Sequence, residues 1–249
     1  MTRIQHLITG VSLICCSLMA TNLLQAAELV RHMTIHDRCD PLPLQSTGEQ
    51  FQAYEQCTKQ HGPEQIAAYF ADIYQKTQGK VTLSYLDGSQ LVLQDFTGDD
   101  AERYQNFSLW GCDNTKRYCV IFKAGWEWWR YLLIDRKTKL TTELTGYPVF
   151  SPDSQLVFEY VDSRMAESFS RNILKLYRLN DEKPKLLLER NETDFGVHSA
   201  KWVGPSSLEA RLQDFAPDDS YRYIEVGLMR LDVSGDKVSL TIEKTTQQQ

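Results

Sequence analysis

The chain has 249 residues, of which 42% are hydrophobic and 24% charged, proportions of an ordinary globular protein. They exclude a disordered chain, a collagen-like repeat and a polytopic membrane protein. A net charge of −6 and a pI near 5.4 argue against a nucleic-acid binder, which carries a basic excess.

Residues 1–27 read as a secretory signal. Arg3 supplies the positive start, no acidic residue precedes Glu28, and an apolar stretch runs from Leu7 to Leu24. Leu24-Gln25-Ala26-Ala27 predicts cleavage after Ala26 or Ala27. The apolar stretch, about 18 residues broken by polar ones, is short for a membrane anchor. Ile14 and Cys15 are poor predecessors for a lipidated Cys15 or Cys16. No other stretch is long enough to span a membrane, so no integral segment is expected after cleavage. The mature chain would carry 26 basic and 33 acidic residues, a net charge of −7. The signal resembles that of a bacterial exporter, which predicts a periplasmic or secreted protein.

Residues 28–79 are predicted to be an extended lead-in followed by a helical segment. His32 and His36, near Asp37 and Cys39, would share a helix face and could grip a metal. They fall at the mature N-terminus, where chains are loose, so no metal or other cofactor is expected. Phe51, Tyr54 and Cys57 recur at three-residue spacing over Glu49–Gln60. Gly62-Pro63 breaks that pattern, and Pro63 with Glu64 suits the first turn of a second helix. Ile66, Phe70, Ile73 and Tyr74 form one apolar helical stripe, with Gly79 as the expected C-terminal cap.

Cys15 and Cys16 leave with the signal, and Cys39, Cys57, Cys112 and Cys119 remain. An even number in an exported chain favours disulfides. Of three possible pairings, locality selects Cys39–Cys57 and Cys112–Cys119. The second pair flanks the turn-forming string Asp113-Asn114-Thr115-Lys116.

After Gly79 the hydrophobic period becomes two. Val81–Leu86 and Gln90–Gln94 flank Asp87-Gly88, a hairpin signal. Tyr118–Lys123 and Leu156–Val161 are predicted strands. Arg130–Asp135 and Leu140–Leu144 flank Arg136–Lys139; Ile173–Leu179 and Lys185–Glu189 flank Asn180–Lys183. Tyr223–Leu231 and Val238–Glu243 close the series. About 14 short strands, with turn signals every 8–12 residues, predict an all-β sandwich, barrel or propeller.

Tyr147-Pro-Val-Phe-Ser-Pro-Asp-Ser-Gln-Leu-Val-Phe-Glu-Tyr160 resembles the start of a blade in the TolB-like or WD40-like β-propeller family, with Ser154 where glycine is usual. Ala200–Ala210 resembles a decayed copy, with Trp202 and Pro205 in step, and Phe107–Asn114 a poorer one. A spacing near 40–50 residues suits four strands per blade. The resemblance implies a mainly β chain: a small or partial β-propeller-like stack of antiparallel sheets with an N-terminal helical segment. The β domain is placed over residues 80–245, before a disordered tail at 246–249. The family implies a binding scaffold rather than an enzyme.

The common chemical motifs are missing: no Gly-x-Ser-x-Gly, His-Glu-x-x-His, P-loop or Gly-x-Gly-x-x-Gly occurs. His198, near Glu192 and Asp194, reads as a loop or strand-start residue. Asp95, Asp99, Asp100 and Glu102, and later Asp214, Asp218 and Asp219, form acidic loops without EF-hand spacing. The unusual string is Gly125-Trp-Glu-Trp-Trp-Arg-Tyr131. As an extended strand it would point Trp126 and Trp128 to one face and Trp129 and Tyr131 to the other. Exposed Trp126 and Trp128 beside Arg130 would make a platform for sugar rings, a peptide or a protein. The expectation is a non-catalytic recognition module for a protein or cell-envelope component. The alternatives are an envelope hydrolase acting on glycan or peptide, and an inhibitor of an extracellular enzyme such as lysozyme.

Overall fold

A computed structural model describes residues 48–161, 173–191, 195–215 and 223–245. The signal segment, the histidines His32 and His36, Cys39, Glu192, Asp194, Asp218, Asp219 and the C-terminal tail lie outside the described residues, as do the side chains of Phe51 and Tyr54. Two helices, α1 (Gly48–His61) and α2 (Pro63–Tyr69), precede fifteen strands among the described residues.

Helix α2 begins as its sequence dictates. Gly62 is extended at the N-cap, Pro63 takes the first helical position and Glu64 sits in the first turn, where a missing N–H costs nothing and a negative charge meets the helix dipole. The expected stripe does not remain helical to Gly79. The helix ends at Tyr69, a turn spans 70–73, and Tyr74–Thr77 is strand β1. The reason lies in the next turn. Gln78 and Gly79 both take positive φ, 51° and 73°, the backbone of a two-residue hairpin loop. That loop claims the residues before it for a strand, and Gly79 serves a hairpin rather than a helix end. Ile66, Phe70, Ile73 and Tyr74 still share one core.

The strands form four antiparallel sheets, each a simple meander. The first holds β1, β2 (Lys80–Ser84) and β3 (Gln90–Gln94). The second holds β4 (Gln105–Cys112), β5 (Tyr118–Gly125), β6 (Trp129–Asp135) and β7 (Thr141–Leu144). The third holds β8 (Tyr147–Phe150), β9 (Leu156–Tyr160), β10 (Ile173–Arg178) and β11 (Lys185–Asn191). The fourth holds β12 (Gly196–Trp202), β13 (Ser207–Phe215), β14 (Tyr223–Ser234) and β15 (Lys237–Lys244). The chain is thus mainly β, a propeller-like stack behind a helical segment.

Three cores join the four sheets. Val81 and Leu83 of the first sheet, with Ile66 and Phe70 of the helical segment, pack on Leu109 and Ile121 of the second. Val120, Tyr131, Leu133 and Leu144 of the second pack on Val157 and Leu179 of the third. Leu156, Phe158, Leu174 and Leu176 of the third pack on Val197, Trp202, Leu212 and Met229 of the fourth. The middle sheets are therefore covered on both faces, and inner strands of each carry continuous buried runs: Tyr118–Ile121 and all of β9 are buried. The end sheets face water on one side, and β2 and β15 alternate instead. Both patterns follow from counting covered faces.

Cys112 and Cys119 lie directly opposite each other in register and are bonded, with Cα atoms 4.0 Å apart. A register shift between Leu109 and Gly111 turns Trp110 toward the third sheet and returns Cys112 to the side of Leu109. Closing so short a loop stabilises the fold by about 2.5 kcal/mol in the chain-entropy account. Cys57, on α1, is also disulfide-bonded.

The repeat-like string forms the β8–β9 hairpin. Ser151 Oγ accepts from the Leu156 N–H at 2.9 Å and donates to Asp153 at 2.6 Å. Ser154 takes φ 58°, the left-handed conformation that glycine adopts without cost.

Candidate functional site

Antiparallel pairing gives the stack two ends. The turns after β4, β6 and β10, with those after β2 and β14, meet at one end. The β5–β6 hairpin and the β7–β8 link lie at the other.

The first end is stitched from sheet to sheet. Asp87 in the β2–β3 turn meets Lys139 in the β6–β7 turn at 2.7 Å. Asp181 after β10 meets both Arg117 and Lys137 of the second sheet's turns at 2.8 Å. Asp236 in the β14–β15 turn meets Lys185 at 2.6 Å and Arg178 at 3.3 Å. The strongest knot is Arg117 on Asp135. Its Nη2 and Nε donate to the two carboxylate oxygens at 2.7 and 3.1 Å, and Asp135 also accepts the Lys137 N–H at 2.8 Å. Burial pulls the Asp135 pKa up, but the guanidinium and the backbone donor outweigh it and the net shift is downward. Arg136 donates to the carbonyls of Ser84 and Lys116. Tyr118, its hydroxyl on the Asn180 carbonyl at 3.0 Å, is pushed up to about 12, chiefly by burial.

The other end carries the tryptophans. Gly125 N–H donates to the Trp128 carbonyl at 2.7 Å, which leaves Trp126-Glu127 as a two-residue turn. Glu127 takes φ 65°, where Asn or Gly is the ordinary choice. A Cβ on Gly125 would fall 2.0 Å from the Trp128 ring, so glycine is required for that ring to lie on its own hairpin. Lys123 sits 5.2 Å from the centre of the same ring. Trp126 is 59% exposed and Trp129 is 37% exposed. Arg130 donates to the Trp129 carbonyl at 2.7 Å and faces Glu143 at 3.4 Å.

The expected strand alternation therefore holds from Trp129 onward and fails before it. Trp126 and Trp128 do not share a strand face, because a turn reverses the chain between them. Trp126 projects into solvent, while Trp128 folds back over Gly125. Trp129 and Tyr131 do share a face; Tyr131 is buried and Trp129 lies at its rim. Beneath them runs a continuous aromatic path. Trp110 meets Tyr131 at 5.1 Å, Tyr131 meets Tyr147 at 5.6 Å, and Tyr147 meets Tyr160 at 5.6 Å. These contacts anchor the exposed hairpin to the core between the second and third sheets.

The first acidic loop is largely structural. Asp95 pairs with Lys76 at 2.7 Å and accepts from the Asn106 side chain at 3.0 Å and the Phe107 N–H at 2.8 Å. Asp100 accepts the Glu102 N–H at 3.1 Å. Among the described residues no group of three or more His, Cys, Asp or Glu side chains could hold a metal.

Sequence reasoning passed over Glu159, which is fully buried in β9. The available signal was a single carboxylate inside the otherwise apolar string Leu156-Val-Phe-Glu-Tyr160.

No family model matches this chain, and no curated protein matches it. Among solved structures it is similar to a "putative 6-phosphogluconolactonase" from Bacteroides uniformis, with 12% identity and a TM-score of 0.33 over 68% of this chain and 52% of that one. A protein of the same description from Bacteroides fragilis gives 12% identity and a TM-score of 0.32, over 68% and 51%. The chain spans about half the length of these structures. Likeness of this degree carries no argument about activity. Among the described residues no helix is long and apolar enough to cross a membrane.

Proposed function

We propose that this chain is an exported, non-catalytic recognition module of the TolB-like kind. It binds a protein or cell-envelope component through the β5–β6 hairpin, with Trp126 and Trp129 as the contact surface, Trp128 as its backing and Arg130 as its charged flank. The observation that carries the reading is Trp126 held in solvent, 59% exposed, on a turn whose second residue is Glu127 at φ 65°. Large exposed aromatics favour contact with a partner, and an uncommon backbone held by its surroundings is a mark of sites kept for use. The Cys112–Cys119 bond supports an oxidising compartment, in keeping with the export signal read from residues 1–27.

The test compares the two ends. A photo-crosslinking residue is placed at position 126, and in a second protein at Leu86, which is also exposed at 56% but lies in a turn of the stitched end. Each protein is expressed in the producing cells and irradiated. Adducts specific to position 126 and suppressed by Trp129→Ala support the reading. Equal adducts at both positions, or none at 126, overturn it.

A further inference from the structure

Glu159 is 0% exposed, and its surroundings do not satisfy a carboxylate. Thr145, on the link after β7, donates to Oε1 through its hydroxyl at 2.8 Å and its N–H at 3.4 Å. Oε2 has no hydrogen-bond partner among the described residues. Lys175, directly across on β10, stands 3.6 Å from Oε1 and also faces Glu189 of β11, 3.9 Å away. One ammonium is thus shared by two carboxylates, of which Glu189 is partly in water.

Among the described residues no other group facing Glu159 supplies a positive charge. Pro148 is its cross-strand neighbour on β8. Tyr177 on β10 is kept neutral by burial, with Glu159 and Glu189 adding to that effect. The second sheet presents Trp110, Phe122, Tyr131 and Leu144 to this interface, and burial keeps the Tyr131 phenol neutral as well. An ionised carboxylate here loses water and gains little in return. Desolvation accordingly raises the Glu159 pKa above its ordinary 4.5, against the opposing pull of Thr145 and Lys175.

We propose that Glu159 is a proton-operated latch between the second and third sheets, closed when the carboxyl carries a proton and loosened when it ionises. Protonation frees Lys175 to pair with Glu189 and leaves the interface apolar and neutral. Ionisation puts a half-matched charge into it, beside the link that joins the two sheets. The sign follows from linkage: the folded state holds this proton more tightly than the unfolded one. The stabilising contribution is therefore complete below pH 4.5 and is lost as pH rises through the folded-state value. An exported protein meets a pH set by its surroundings, so such a latch would tighten the stack in acid.

Thermal unfolding of the full chain from pH 4.5 to 8 tests this with Glu159→Gln, the shape of the protonated acid without its titration, and Lys175→Met. The midpoints of wild type and Glu159→Gln should coincide near pH 4.5. They should separate by roughly 3 °C or more at pH 8, with Glu159→Gln the higher. Lys175→Met should fall more steeply with pH than wild type. Amide exchange at Thr145, compared with Glu159→Gln at each pH, should speed up in the same range. Parallel wild-type and Glu159→Gln curves, or a lower Glu159→Gln midpoint at pH 8, overturn the proposal. So does a Lys175→Met curve with the wild-type slope, which decides the matter even if Glu159→Gln fails to fold.

Discussion

Asp135 and Glu159 are both buried carboxylates near the same interface, that of the second and third sheets, and they sit at opposite ends of it. Arg117 grips Asp135 with two hydrogen bonds, and the Lys137 N–H adds a third. Glu159 has Thr145 on one oxygen, no partner among the described residues on the other, and an ammonium it must share. The difference teaches that burial alone does not set the sign of a pKa shift. The donors that reach the charged form do. It also separates the two ends by role. One end is tied by a repeated Asp-to-cation clasp at Asp87, Asp181 and Asp236; the other has a single such clasp among the described residues, Asp95 on Lys76, and holds the exposed tryptophans and the unsatisfied carboxylate.

The largest effect is expected where the clasp is most buried. Arg117→Met strands Asp135, whose side chain is only 6% exposed, and should cost about 3 kcal/mol at pH 7 by urea denaturation. The folded Asp135 pKa lies below 3.8, so its contribution is present above that pH and lost as pH falls through the folded value. The gap between wild type and variant should therefore narrow in acid. A gap that stays constant down to pH 2 would show that Asp135 is not held ionised by Arg117. The Glu159 contribution runs the other way, and the two pH slopes together are the sharpest form of the comparison.

A middle-sized effect belongs to the hairpin. Gly125→Ala drives a methyl group into the Trp128 ring and should destabilise by about 1–3 kcal/mol. Trp126→Ala, at a solvent-facing turn position, should stay within about 0.5 kcal/mol. Denaturation midpoints with tryptophan fluorescence check both; a large loss for Trp126→Ala would place that ring in the fold rather than on a binding surface. The smallest effect is a gain. Ser154→Gly relieves a left-handed serine and should add up to about 1 kcal/mol, read as a raised unfolding midpoint. A loss would mean that the serine side chain matters more than its backbone.

Much of the fold was legible in the residues. Period-two strands, the Asp87-Gly88 turn, the Arg136–Lys139 and Asn180–Lys183 turns and the Cys112–Cys119 bridge all emerge as expected, because strand alternation and turn chemistry act over a few residues. The helix expected over Ile66–Tyr74 stops at Tyr69 for the same reason. Ile66, Phe70, Ile73 and Tyr74 fit a helical period, but the Gln78-Gly79 turn and pairing with β2 claim Tyr74 for a strand, and that pairing is not local. The tryptophan string was legible as unusual but not in its geometry. Alternation assigns Trp126 and Trp128 one face only if the strand continues, and the close approach of Trp128 to Gly125 marks where it stops.

Composition, the apolar period and the turn residues determined that this chain is a meander of short antiparallel strands behind a helical segment, since those properties depend on neighbours along the chain. They also determined which cysteines could pair across a hairpin. Which sheets are covered on both faces, which tryptophan meets water, and why Asp135 and Glu159 answer pH in opposite directions were decided by packing. Each depends on atoms brought together across strands and sheets, where a donor present or missing within about 3 Å decides whether a buried charge is held or refused.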